Sequence, residues 1–479
     1  MKKHNLLKVL LITLAVVVVM SWIFPITYFS STGLVEEDVQ RIGIFSIMTY
    51  AGIAIQYFSH VAIYVLCIGG LYGVLNRIPS YKTLLEKIVK GFKDREIIFI
   101  IIAMIVLAVC ASVAGMSLPL LFVFPFIISL ILMMGYDKIT AALVTAGSVV
   151  MGMIGSVFSS QDTYGIDAYL GTAADGNVAK KLIVLVIVLA ILVVNVCFYA
   201  KKHKDNKNVE NESYVPETLV GKSNSFWPLV IVMDVVFVVL FLAFFSWNLF
   251  GVDVFSNITS KLSDPSITSG SAKTLYTIFG GVLGLSSPFG SWSLLEAAVV
   301  LILAAGLLAF VYRIKFNDFI SNFITGAKRA LKPAVLVLIA YLVLVSSTYM
   351  PTLLSVLKPL ITAHTGFDVL TIIILAVVFI ICGFFSVESY YSASVSLPYI
   401  AGEVLAETLS SNALYTGVLA IACQSFYGLS MFIAPTSVVL VSTLAYLNVS
   451  YGNWLKAVWK IFLELLVALI IVLSIFTLL

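Results

Sequence analysis

Charge is scarce in this chain. Only 11% of its 479 residues are Asp, Glu, Lys or Arg, while 61% are hydrophobic and the mean hydropathy is +1.10. Soluble globular chains carry about a quarter charged residues. A chain of this length cannot hide so much apolar side chain in its own core, so a large surface must face lipid. That excludes a soluble enzyme, a disordered chain and a nucleic-acid binder. The net charge of +4 is mild and matters only through where the charges lie.

Cysteine and histidine are sparse too. Cys67, Cys110, Cys197, Cys382 and Cys423 stand singly in apolar stretches. They lack the polar-loop setting of a disulfide framework and read as small buried hydrophobes. His4, His60, His203 and His364 make no HExxH or other ligand spacing, which argues against a metal hydrolase. There is no nucleophile–base pair for a membrane-embedded enzyme, and no charged ring or filter repeat for a channel.

What the sequence has is long apolar runs. A spanning helix needs about 20 such residues, and 6–29, 60–78, 179–200, 226–249, 293–312, 333–350 and 454–478 qualify. The first follows Lys2, Lys3 and Lys8 like a signal peptide, but it is too long and lacks an A-x-A site, so it reads as a retained helix. Residues 44–59 are interrupted by Gln56 and Ser59 and are expected at the interface. With the N-terminus inside, the inner segments hold 22 of the 28 Lys+Arg, and the acidic Glu36, Glu37 and Asp38 fall outside. The C-terminus is then expected outside.

Two long regions, 97–165 and 369–446, are apolar yet interrupted by small, polar and proline residues. At an offset of 273 residues, Pro125 meets Pro398, Gly155 meets Gly428 and Thr163 meets Thr436. Each region runs through an apolar arm, a small polar tip (111–119; 386–396), a second arm, a turn and a helix broken at polar residues. One enters from inside and the other from outside, as inverted repeats do. The expected organisation is a first repeat over 1–200 (hairpin 97–134, broken helix 139–165), a polar cytoplasmic linker over 201–225, and a second repeat over 226–479 (hairpin 369–409, broken helix 413–446).

Hydrocarbon cannot satisfy exposed backbone groups, so breaks at membrane depth require a protein-lined polar site. In the second break Pro435 removes a donor, while Thr436 and Ser437 add hydroxyls. The first break offers Ser156, Ser159, Ser160, Gln161, Asp162 and Thr163, and the second tip Ser386, Glu388 and Ser389. Asp162 and Glu388 are ionisable groups at membrane depth, hence candidates to bind a cation, a proton or a substrate ammonium. Asp234, Glu296 and Glu464 lie nearer helix ends or on scaffold helices and read as structural. Tyr164, Tyr390, Tyr391 and Tyr427 flank the breaks, where they suit cavity lining and packing equally. No Lys or Arg falls in a tip or break, which favours a cationic or zwitterionic solute, or coupling to a cation. Gly69 with Gly73 and Gly280 with Gly284 form GxxxG pairs that permit close helix contact.

The strings IGGLYGVLNRI, KDREIIFIIIAMIVLAVCASVAGMSLPLLFVFPFIISLILMMGYDKITA, ASVSLPYIAGEVL and FIAPTSVVLVSTLAYLNVSYGNWLK resemble the YfcC family of bacterial membrane carriers. That family is related to C4-dicarboxylate carriers of the DcuC type and to arginine/ornithine antiporters, within the ion transporter superfamily. The resemblance implies re-entrant hairpins, a dimerising scaffold and an elevator-like transport domain. The sequence departs from the family where the site is expected. A family pattern like GSTINPFNTG is replaced by GSVFSSQDTYG, and a usually neutral second tip holds Glu388, Tyr390 and Tyr391.

The expectation is therefore an all-α polytopic membrane protein of about ten or eleven spans in a bacterial inner membrane. It is read as a secondary active transporter of a small polar solute, an amino acid (basic by preference, exchanged or cation-coupled) ahead of a C4-dicarboxylate. No cofactor is expected beyond Na⁺ or H⁺ as coupling ion, with any Na⁺ near the same residues. The partners are the solute, the bilayer and a second copy of the chain through scaffold helices.

Overall fold

The computed structural model describes residues 5–158, 165–166, 168–171, 177–204, 225–263 and 287–478. Helix dominates. Among the described residues nine helices are long and apolar enough to cross a membrane, and the chain is an all-α polytopic protein.

Helix α1 (Asn5–Ile23) leads into a hairpin, β1 (Ile26–Ser30) with β2 (Gly33–Glu37), the only sheet among the described residues. The first apolar run thus stops at Ile23, short of residue 29. Helix α2 (Ile44–Leu75) is continuous for 32 residues. Gln56 and Ser59 do not interrupt it, because polar side chains leave a helix ladder intact; residues 44–59 and 60–78 therefore do not form separate segments. Amphipathic α3 (Pro79–Gly91) follows, then α4 (Glu96–Ala114), which Gly115 closes at φ +64°. A 3₁₀ turn (Pro119–Phe122) precedes α5 (Phe124–Met133). Asp137 caps α6 (Lys138–Ile154), which has a π turn at Leu143–Gly147. Next comes α7 (Val178–Lys202). Most of the expected linker, 205–224, lies outside the described residues.

Beyond it come α8 (Trp227–Phe244), α9 (Val254–Ser263), α10 (Leu294–Val311), amphipathic α11 (Phe316–Arg329), α12 (Leu331–Tyr349) and α13 (Leu353–Ile361). Asp368 caps α14 (Val369–Phe385), and α15 (Ser389–Tyr399), a π turn (Ile400–Val404) and α16 (Ala406–Ser411) follow. Helix α17 (Ala413–Met431) breaks at 432–437, resumes as α18 (Val438–Leu447), and α19 (Tyr451–Phe476) ends the described chain.

Packing follows a repeated plan. Helix α4 packs on α6 and α7 as α14 packs on α17 and α19, while α1 packs on α12 as α10 packs on α2. Helices α2 with α12, α6 with α17, and α7 with α19 meet in pairs. The starts of α4 and α14, and of α7 and α19, stand 273 residues apart in sequence. Helices α14 and α15 pack together, whereas α4 packs on α6 rather than on α5. Close crossings are made by glycine. A Cβ on Gly428 would lie 2.7 Å from the Ile154 backbone, and one on Gly73 would lie 2.3 Å from the Asn322 carbonyl of α11. The Gly69/Gly73 pair is thus a real contact, while Gly280 and Gly284 lie outside the described residues.

The outer belt is apolar. Phe198, Phe310 and Phe316 are each more than 70% exposed, which is stable only against hydrocarbon or the interface. All five cysteines are free; Cys67, Cys382 and Cys423 are buried, whereas Cys110 and Cys197 are only half-buried, because α4 and α7 turn part of their surface to the apolar belt. Two ion pairs, Lys204 with Glu96 and Lys358 with Glu36, tie chain-distant segments together.

Candidate functional site

Three irregular segments meet at one cavity of about 570 Å³. The turn before α5 contributes Ser117, Leu118 and Pro119; the α14–α15 turn contributes Val387 to Tyr391; the second break contributes Ser437. Helices α2 and α12 close the wall with His60 and Tyr341.

Irregular backbone in an apolar interior leaves carbonyls without a ladder partner, each worth a few kcal/mol if orphaned. Side chains satisfy them here. Tyr64 donates to the Pro119 carbonyl at 2.6 Å and Tyr72 to that of Phe122 at 2.8 Å. The break after α17 is held from α19, where Trp454 Nε1 donates to the Phe432 carbonyl at 3.0 Å and the Tyr451 hydroxyl to that of Ile433. Tyr427 donates to Val387 and Thr436 to Phe384, both at 2.9 Å. At the end of α6, Ser112 donates to the Gly155 carbonyl at 2.7 Å, Gln424 to Ser156 at 2.8 Å and Ser425 to Ile154 at 3.1 Å. These bonds fix the shape of the breaks and spare them from needing water.

Glu388, the N-cap residue of α15, is half-buried, and its Oε1 accepts from the Tyr341 hydroxyl at 3.0 Å. Tyr341 stacks on Phe58, with ring centroids 4.2 Å apart and planes at 12°, and Phe58 meets Tyr391 edge-on. This aromatic trio stands between the Glu388 cavity and a second one of about 860 Å³. The second is lined by Thr27 and Glu37 of the hairpin, Ser347 of α12 and Ser394 of α15; Tyr391 borders both. Buried Ser117 has a hydroxyl without a hydrogen-bond partner among the described residues and is available to a ligand.

Of the residues expected in the site, Glu388, Ser389 and Ser437 line the Glu388 cavity. Ser386 is buried and borders the second cavity instead. Thr436 is committed to the Phe384 carbonyl, and Pro435 does its work by ending the ladder. Ser156 holds Gln424 through its carbonyl, while its own hydroxyl has no partner among the described residues. Ser159, Ser160, Gln161, Asp162 and Thr163, with Tyr164, lie outside the described residues. The polar tip 386–396 is unwound only at 386–388, since Ser389 to Tyr399 form α15. Tyr341 and His60 were missed. Both sit on helices that read as plain scaffold, and nothing in their spacing marks them. Ser117 falls inside the first tip and was legible there as a polar residue at a break. Among the described residues no group of three His, Cys, Asp or Glu could hold a metal.

Known proteins share this sequence pattern. The chain is 23% identical over 83% of its length to 73% of the Escherichia coli K12 protein called "Putative basic amino acid antiporter YfcC". It is 21% identical, over 83% of its length, to 71% of an uncharacterized Haemophilus influenzae protein. Among solved structures, the Alcanivorax borkumensis YdaH transporter aligns over 98% of both chains at 12% identity and a TM-score of 0.44. The C4-dicarboxylate anaerobic carrier profile, DcuC, runs from residue 4 to residue 478. A profile matched over that span accounts for the helices, the breaks and the cavity together: the chain belongs to the DcuC family and is a multi-pass membrane transporter, not an enzyme.

Proposed function

We propose that the protein is a secondary carrier for an amino acid with a cationic group, working by an elevator-like alternating access. The observation that carries this is the lining of the Glu388 cavity. Among the described residues it holds one carboxylate and neither Lys nor Arg, with Tyr390, Tyr391, Tyr427 and Trp292 supplying aromatic faces. A carboxylate with aromatic rings suits an ammonium or guanidinium; a dianion would meet repulsion. The name of the Escherichia coli relative is in keeping with this reading, while the family description points to C4-dicarboxylates as the rival.

The repeated packing supports two inverted repeats, 1–200 and 226–479, with α4–α7 and α14–α19 as the moving unit. Helices α1, α2, α10 and α12 form the frame, through which two copies would pair. The turns at 115–118 and 386–388 are the tips of the re-entrant hairpins. The Lys and Arg distribution supports an N-terminus inside and a C-terminus outside, in a bacterial inner membrane. Na⁺ or H⁺ serves as coupling ion.

Ligand-induced thermal stabilisation tests the solute. Purified protein is melted with arginine, ornithine, neutral amino acids, succinate or fumarate, each with and without Na⁺. A ligand at 100 times its Kd adds about 2.7 kcal/mol to the native state. Arginine or ornithine stabilises the wild type and not Glu388→Gln. Stabilisation by succinate or fumarate that survives Glu388→Gln overturns the reading.

A further inference from the structure

A third cavity, of about 350 Å³, lies at the opposite end of α2 from the hairpin. Its walls come from the last turns of α2, the start of α12, the end of α11, α5 and α18. Two cations line it, Arg329 and Lys332, and no carboxylate does. The Lys332 ammonium donates to Asn448 Oδ1 at 2.9 Å. Asn448 itself sits at φ +53° as the left-handed cap of α18, which fixes the lysine at the cavity wall. Ser442 completes the pocket. It is 6% exposed, lines the cavity, and its hydroxyl has no hydrogen-bond partner among the described residues. A buried unmatched hydroxyl beside two cations is costly unless something fills the space.

The setting identifies the source of the anion. Helix α11 joins two spanning helices and is amphipathic, with Phe316, Ile320 and Ile324 exposed and Lys328 and Arg329 in its last turn. Such a helix lies in the interfacial plane, apolar face toward acyl chains. Gly326 lets it seat against α2, for a Cβ there would lie 2.1 Å from the Gly69 carbonyl. That seat puts Arg329 at the mouth of the cavity, at headgroup level, on the face that carries most of the Lys and Arg. Basic pockets between spanning helices on that face suit phosphate headgroups.

We propose that this cavity binds the phosphate of an anionic phospholipid, wedged between α2 and α12 on one side and α5 and α18 on the other. Arg329 and Lys332 supply the charge, and Ser442 donates to a phosphate oxygen.

The test uses delipidated full-length protein reconstituted with phosphatidylglycerol or phosphatidylcholine, reading thermal stability and lipid retained in native mass spectra. Phosphatidylglycerol stabilises the wild type and stays bound; phosphatidylcholine does neither. Arg329→Gln and Lys332→Gln each weaken retention about five-fold, and together about thirty-fold. Ser442→Ala weakens it several-fold and, being a small change, keeps the test alive if the double variant fails to fold. Lys328→Gln, next to the pocket but not in its wall, leaves retention unchanged. Equal effects of the two lipids, or a loss with Lys328→Gln as large as with Lys332→Gln, would mean diffuse surface charge and overturn the site. Stabilisation by inorganic phosphate or succinate through the same residues, without lipid retention, would assign the pocket to a free aqueous anion and overturn the lipid assignment.

Discussion

Replacing Tyr451 by Phe removes one oxygen atom and leaves the shape of the ring. The hydroxyl it removes is the donor to the Ile433 carbonyl in the break between α17 and α18. Tyr451 is buried and Ile433 half-buried, and neither lines the cavities around Glu388 or Lys332, so no cavity stands ready to supply water to the vacant place. A carbonyl orphaned away from a cavity costs about 1–3 kcal/mol. Tyr64→Phe makes the same deletion beside a cavity, because Pro119, whose carbonyl Tyr64 serves, lines the Glu388 cavity. Water can replace that donor, and the cost should fall to the roughly 0.6 kcal/mol average of interhelical bonds in membranes. In a chain this long, 1 kcal/mol moves the melting temperature by about 1–2 °C, by extension from smaller domains. Tyr451→Phe should therefore lower it by about 2–4 °C in detergent, and Tyr64→Phe by less than about 1 °C. Equal shifts, or a larger one for Tyr64→Phe, would refute the argument that side-chain donors replace water at the break away from the cavities.

Gly428→Ala should cost about 1–3 kcal/mol, since its Cβ meets the Ile154 backbone, which cannot rotate away; chemical denaturation in micelles reads this, and a neutral result would mean that the α6–α17 crossing is loose. Asp368 caps α14, and hydrogen bonds to its carboxylate, that from the Thr371 amide foremost, hold it below the usual carboxylate range. Its contribution is thus present above about pH 4 and lost as pH falls through its lowered value. Asp368→Asn should flatten that acid limb in melts between pH 3 and 7, while Asp368→Ala should cost about 1 kcal/mol at neutral pH. Phe58→Ala should open the aromatic trio, so that a cysteine at 388 reacts faster with a membrane-impermeant maleimide added outside; an unchanged rate would show that Phe58 is no barrier.

The membrane class, most of the spanning helices and both irregular regions were legible, because hydropathy is a property of local composition. The continuity of α2 was not. Gln56 and Ser59 look like interruptions in a hydropathy trace, yet a helix tolerates polar side chains as long as its backbone ladder is unbroken. Pro435 follows the end of α17 within a break, whereas Pro398 sits one residue before the end of α15, where the helix passes into a π turn. Within the site, Glu388 stood out as charge at membrane depth. Its partner Tyr341 did not, for a tyrosine on an apolar helix announces nothing until the fold brings its hydroxyl to a carboxylate 47 residues away. The donors to the broken segments were likewise invisible, since Tyr64, Trp454 and Gln424 are specified by where other elements end.

The bonds that hold the irregular segments divide unevenly. Those from Trp454, Tyr451, Tyr427, Thr436, Ser425, Gln424 and Ser112 start and finish within the part of the molecule assigned above to motion. The Tyr64, Tyr72 and Tyr341 phenols, with the Lys332 ammonium to Asn448 beside them, reach across from α2 and α12. In the proposed elevator motion, sliding would leave the first set untouched and break the second. At about 1 kcal/mol net apiece, the three phenols alone would then act as a detent worth roughly 3 kcal/mol, a factor of about 150 in occupancy of this position. On that proposal the resting point of the lift is written largely in hydroxyl groups of the frame, while the cargo compartment travels with its own wiring intact.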